Sequence, residues 1–191
     1  LTVASYYYLI GQLPSLSYGS IAPMGSNRFR EMCAEFMPES DFELLDRCVL
    51  DPSVPAGSTG SNLIDTWTIW ERTLRANLAR SRAARLKRDT AGLPEAAPDP
   101  LDAAAAAKAA VALESPLEAE QYLDRARWVL LDSLLGLEYF SRDTAYAYML
   151  KLLLLERKAL FRSEEGFAEY KAIYASVMEA APTSIASGEP K

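Results

Sequence analysis

Histidine is absent from all 191 residues, and no other absence removes as much chemistry. Without imidazole there is no Ser-His or Cys-His pair, no histidine general base and no neutral nitrogen ligand for a metal. Cysteine is scarce: Cys33 and Cys48 form neither a CxxC pair nor a disulfide framework, which points to a reducing compartment. Phosphate-cradling and nucleophile-elbow patterns are missing too, since no GxGxxG, GxxxxGKS/T or GxSxG occurs. Positive charge is in deficit. With 20 Lys and Arg against 26 Asp and Glu, the formal charge is −6, which argues against a general nucleic-acid binder because phosphate neutralisation needs a basic surface.

Long apolar runs are also lacking. The most apolar stretch, Ala145 to Leu155, is interrupted by Lys151 and closes on Glu156-Arg157-Lys158, short of the roughly 20 residues a membrane span needs. The opening SYYYLIGQLPSLSYG has no Lys or Arg before Arg28 and no small-residue cleavage pattern, so it is not read as a secretory signal. Cytoplasm is the expected location.

What is present is mostly helical punctuation. Tyr6 to Leu13 is aromatic and β-branched enough for a short strand, yet eight residues do not separate strand from helix by period. Either way Tyr6, Tyr7 and Tyr8 are expected to pack inward, with their hydroxyls reaching an edge. A helix over about 27–37 carries Phe29, Met32, Cys33, Phe36 and Met37, and Pro38 ends it. Ser40-Asp41-Phe42-Glu43 reads as a capping box opening a second short helix to about Val49. Both cysteines fall on apolar faces, so packing is their expected task.

A long helix follows over about 62–90, with Leu63, Trp67, Trp70, Leu74 and Leu78 on one stripe. Beyond Leu78 that stripe meets Arg85 and Arg88, so the last turns are expected to leave the core. An alanine-rich stretch over 102–113 is either a thinly packed helix or partly mobile. Ser115-Pro116-Leu117-Glu118 is the strongest helix start, opening a helix to about Tyr139 that buries Leu117, Trp128, Leu131 and Leu135. Another helix, about 144–162, is apolar nearly all round. A last one begins near Ser163, with Phe167, Tyr170, Ile173, Tyr174 and Val177 inward, and residues 182–191 read as a disordered tail. The expected fold is all-α: one domain over 1–181, with an N-terminal subregion (1–50), long antiparallel helices (62–90 and 116–181) and a Pro/Ala-rich connection (92–114).

Three constellations carry possible chemistry. From Arg72 to Arg88 run seven cations, Arg72, Arg75, Arg80, Arg82, Arg85, Lys87 and Arg88, with no acid until Asp89. They form either a solvated face favoured by the helix dipole or a docking ridge, for an acidic protein or for nucleic-acid phosphate, in which Arg72, Arg75, Arg82 and Arg85 are the candidate contacts. Glu118, Glu120 and Asp124 follow one another along a helix, but the Glu-x-x-His partner of a di-iron bundle is absent, so a solvated helix start is the better reading. Lys151 must snorkel or meet an acid, with Glu138 and Glu71 as candidates. Trp67, Trp70 and Trp128 read as core anchors. No catalytic residue, cofactor or metal is assigned.

Tyr6-Tyr7-Tyr8-Leu9 with Leu13-Pro14-x-Leu16, Trp70-Glu71 through Leu74-Arg75-x-Asn77-Leu78, Arg82-Ala83, Trp128, Ala147-Tyr148-x-Leu150-Lys151-Leu152, Arg157 and Gly166 carry a likeness spread over most of the chain. In these residues the chain resembles a bacterial family encoded beside V/A-type ATPase subunits. That family is similar to a shortened form of the stalk subunit called C in archaeal and bacterial complexes and d in eukaryotic ones. The resemblance implies an all-helical, non-enzymatic socket on the cytoplasmic side, peripheral to the membrane, between the central axle and the rotor ring. Being much shorter than the full subunit, the chain would hold fewer repeats, which leaves an assembly or accessory role open beside that of a stalk component. A helical adaptor unrelated to ATPases, docking an acidic partner through the arginine ridge, is the alternative.

Overall fold

The computed structural model describes residues 3–52, 57–93 and 101–161, together with Lys171, Ile173, Tyr174 and Ser176. Seven α-helices occur among them: α1 (Val3–Gly11), α2 (Ser26–Phe36), α3 (Glu39–Glu43), α4 (Asn62–Arg85), α5 (Ala103–Ala112), α6 (Pro116–Leu134) and α7 (Arg142–Ala159), with a 3-10 turn at Leu44–Arg47. No strand occurs among the described residues, so the all-α expectation holds. The chain divides into a unit of Leu1–Glu156 and a second of Arg157–Lys191. The helix expected from Ser163 and the tail 182–191 lie outside the described residues apart from the four positions named above, which are consistent with helix at Lys171, Ile173, Tyr174 and Ser176.

The strand alternative for Tyr6 to Leu13 is corrected to helix. Tyr6, Leu9 and Ile10 recur at helical spacing, so Tyr6 and Leu9 are buried and Ile10 half-buried, while Tyr7 and Tyr8 turn away at 57 and 69% exposure. The expectation that all three tyrosines pack inward therefore fails for two of them. The capping box is corrected as well: Pro38 is the cap of α3 and accepts the Asp41 and Phe42 amides, which places Ser40 inside the first turn. Proline's fixed φ starts the helix earlier than the hydroxyl would.

α4 begins where expected. The Ser61 hydroxyl accepts the Ile64 amide at 3.3 Å and donates to Asp143 Oδ1 at 2.7 Å, tying the start of α4 to the start of α7. The stripe Leu63, Trp67, Trp70, Leu74 and Leu78 is buried throughout. α4 ends at Arg85, five residues before the expected Thr90, in a Schellman turn: the Arg88 amide donates to Ala83 and the Lys87 amide to Ala84. Lys87 holds the left-handed position of that turn at φ 53°, where glycine is the usual residue.

α5 is helical and lies on α4 through Ala103, Ala106, Ala107 and Ala110. Ser115 caps α6 as read, accepting the Glu118 amide, with Pro116 in the first turn. α6 stops at Leu134 instead of Tyr139, because Leu135 turns extended just before Gly136; Leu117 is exposed, not buried, while Trp128 and Leu131 are core. α7 runs from Arg142 and buries Tyr146, Leu150, Leu152, Leu154 and Leu155.

The left-handed Lys87 yields a stability test. Lys87→Gly is expected to raise the unfolding free energy by roughly 0.5–1 kcal/mol, since glycine occupies that region without a Cβ clash. The urea midpoint measures it, and Arg88→Gly next door, with no such backbone demand, serves as the control.

Candidate functional site

Helical period places Glu71 one turn beyond Trp67 and beside Trp70, on the inner side of α4, and its side chain is fully buried. A lone carboxylate there would be untenable. Arg127 of α6 meets it bidentately: Nε donates to Oε2 at 2.9 Å and Nη2 to Oε1 at 2.8 Å. The remaining nitrogen of Arg127 donates to Asp124 Oδ1 at 3.0 Å, one turn earlier on α6. Arg75, one turn beyond Glu71, adds Nε to Oε1 at 2.9 Å and spends its other nitrogens on the Leu50 carbonyl at 2.9 Å and on Asp51 at 3.1 Å. Asp124, Arg127, Glu71, Arg75 and Asp51 thus alternate in sign from interior to surface. Burial works against the Arg127 charge, but Glu71 and Asp124 outweigh it and hold the guanidinium more firmly protonated than usual.

The tryptophans anchor this centre. Trp67 and Trp70 stack at 6.4 Å, and their indole nitrogens donate to the Val49 and Leu101 carbonyls at 3.0 and 3.1 Å. Trp128 meets Tyr18 edge-on at 5.7 Å and receives Lys151 over its face at 5.1 Å. Lys151, 13% exposed, has an acid partner as required, but the expected Glu138 and Glu71 are corrected to Asp132. Asp132 sits one turn past Trp128 on α6, within reach of the ammonium, whereas Glu71 is already saturated by two arginines.

The arginine ridge is only partly free to meet a partner. Arg72 is exposed. Arg75 belongs to the buried network, Arg82 faces Glu120 at 3.6 Å, and Arg85 donates to the Val111 carbonyl at 2.8 Å, closing the C-terminal end of α5. Lys87 and Arg88 stand exposed at the tip with Leu86. Arg75 and Arg82, their side chains 40 and 56% exposed, thus each already have an acidic neighbour within the chain.

A second polar centre lies at Asp41. One carboxylate oxygen accepts the Tyr6 hydroxyl, the other accepts Arg142 Nη1 at 3.0 Å, and its carbonyl accepts the Tyr146 hydroxyl at 2.9 Å. Burial and then the nearby Asp41 carboxylate push both phenols upward, keeping them neutral donors. Sequence reasoning named neither Arg127 nor this centre. A usable signal existed for Arg127, since Leu123, Arg127, Leu130 and Leu131 share one helical face and a cation among leucines demands an acid.

Cys33 and Cys48 are buried thiols in the apolar core, and burial pushes Cys33 up to about 12 and Cys48 higher still. Glu118, Glu120 and Asp124 do not converge: Glu120 faces Arg82 and Asp124 faces Arg127. Among the described residues no group of three or more His, Cys, Asp or Glu is placed to hold a metal ion. None of their helices is long and apolar enough to cross a membrane. No protein-family model, curated protein or solved structure matches the chain.

Two outcomes follow for this centre. Both thiols should resist an aromatic disulfide reagent at mildly alkaline pH in the folded protein and react fully in concentrated guanidinium. Glu71→Ala, which takes from the buried Arg127 the acceptor of two of its hydrogen bonds and leaves it only Asp124, should cost about 3–5 kcal/mol in urea unfolding, and replacing Glu71, Asp124 and Arg127 together by apolar residues of similar volume should cost far less.

Proposed function

We propose that the chain is a non-catalytic helical component of a V/A-type proton- or sodium-translocating ATPase, linking the central axle to the membrane rotor ring. The observation that supports this reading is the meeting of residues that carry the resemblance. The Tyr148 hydroxyl donates to the Pro14 carbonyl at 2.9 Å, joining the Ala147–Leu152 run to the Leu13-Pro14 element. Lys151 lies over Trp128, and Glu71 and Arg75 share one ionic contact. These contacts join the residues that carry the resemblance within one helical body. Glu71, Asp124 and Arg127, the buried charged side chains among the described residues, are spent on one another. Such side chains suit a load-bearing body more than a site of turnover.

The second reading is a helical adaptor unrelated to ATPases that docks an acidic partner. Exposed Arg72, Lys87 and Arg88 favour it.

Affinity purification of the tagged chain from membranes of its own organism separates the two. Under the first reading axle and rotor-ring subunits come down with it in comparable amounts, and an ATPase purified independently contains the chain. Capture of other proteins, with an ATPase free of the chain, sinks that reading and leaves the adaptor. In either case Arg72→Glu with Arg88→Glu should lower partner recovery several-fold. Oligonucleotide affinity falling steeply with salt would instead indicate a nucleic-acid partner.

A further inference from the structure

Helix α6 turns one face away from the core. Tyr122, Ala126, Val129 and Ser133 lie along it at spacings of four, three and four, the seam of a helix that meets another helix. Tyr122, Val129 and Ser133 are exposed and Ala126 is half-buried. On one flank of this seam Leu123 and Leu130 are buried. There α5 offers Ala105 and Ala109, one turn apart, as the rim of an open groove of about 680 Å³ that both helices line. On the other flank Glu118, Arg125 and Asp132 are exposed at intervals of seven.

Charge on this face is balanced, with one cation, Arg125, and one acid, Asp102, lining the groove. On the flank, Arg125 and Asp132 differ in sign, and both are held in place. The Arg125 guanidinium lies over the Tyr18 ring at 5.7 Å, and Lys151 donates to Oδ1 of Asp132, whose side chain is still 55% exposed. Such a surface favours no partner of one sign, but it complements its own copy. Two α6 helices laid antiparallel about an axis between Ala126 and Val129 set Tyr122 opposite Ser133 and Ala126 opposite Val129, twice each. Every layer then joins a larger side chain to a smaller one. Residues of the same flank face each other in this register, so Arg125 meets Asp132 of the second copy and Asp132 meets its Arg125. A parallel pair does neither, since Tyr122 would meet Tyr122 and Arg125 would face the buried Leu130 position. Glu118 faces the stretch past the end of α6 and takes no part.

We propose that the exposed face of α6 pairs with the same face of a second copy of this chain, as an antiparallel two-fold dimer closed by two Arg125–Asp132 pairs. Ser133 lines the groove, so the Tyr122 ring of each copy enters the other's groove beside it, where the alanines of α5 leave room. Four layers span roughly 16 Å of helix, which places the contact among the small, transient interfaces. The inference does not rest on the ATPase reading, because an adaptor of either sort can associate in this way.

The test is sedimentation equilibrium of the full chain over about 1–300 μM, with charge reversals at the two flank positions. The unaltered chain should pass reversibly from monomer to dimer within that range. Arg125→Asp alone sets like charges opposite each other twice, as does Asp132→Arg alone, and each should weaken self-pairing about tenfold. An equimolar mixture of the two variants should pair as the unaltered chain does, because each supplies the sign the other lacks. The chain carrying both changes should pair with itself again. Val129→Asp, at an exposed position, should abolish pairing while circular dichroism stays unchanged. The proposal is overturned if the chain is monomeric throughout, if neither Arg125→Asp nor Val129→Asp weakens the dimer, or if the mixture of single reversals fails to recover it. Should Asp132→Arg not fold, since it removes the partner of Lys151, Arg125→Asp and Val129→Asp decide alone: both must weaken the pairing, and failure of either overturns it.

Discussion

Glu71 is the constraint from which the rest of the helical body follows. A carboxylate removed from water needs its counter-charges at fixed positions, and here they come from two directions. Arg127 reaches it from α6, so α4 and α6 are held at one longitudinal register, because a bidentate pair tolerates little sliding. Arg75 reaches it from the next turn of α4 and also grips the Leu50 carbonyl, so the segment that follows the 3-10 turn is fixed to the same point. Apolar packing alone would allow the leucine-rich faces of these helices several near-equivalent matches. The ions select one of them.

Helix α7 organises the N-terminal part in the same manner. Glu156 accepts the Ser26 amide at 2.6 Å and the Ser26 hydroxyl at 2.8 Å, supplying to the start of α2 the negative charge that its own sequence omits. At the other end of α7, Arg142 and Tyr146 converge on Asp41 of α3, which also receives Tyr6 of α1. Three short helices that would be marginal alone are thereby secured to one long one by side chains as much as by apolar area. Asp65 shows the local version of this economy. Partial burial pulls its carboxyl upward, yet the amide and hydroxyl of Thr59 and the hydroxyl of Ser58 hold it below the usual carboxylate value.

Legibility in the sequence followed the physical range of each signal. Ser115-Pro116 and the Leu63–Leu78 stripe were readable because caps and helical period act within a few residues. The starts of α2 and α4 fell within one residue of expectation for the same reason. Their ends were less legible: α4 closes through a left-handed lysine and α6 breaks at Leu135, and neither carries an overt stop at that residue. Ser40 looked like a cap and was not one, because Pro38 acts first. The partners of Glu71, Lys151 and Asp41 lie 56, 19 and 101 residues away for Arg127, Asp132 and Arg142, and no local pattern encodes such pairings. The candidate site was legible as residues that had to be paired, without the identity of the pair.

The alanines of α5 have one more consequence. Most surfaces lose rotamer freedom when something is laid on them, at up to about 1.5–2 kcal/mol for a long side chain, whereas alanine has none to lose. The rim formed by Ala105 and Ala109 is already as ordered when bare as it would be when covered. Its small contact area is therefore offset by the absence of any conformational entropy to surrender, and contact with it can form and dissolve without the rim itself having to rearrange.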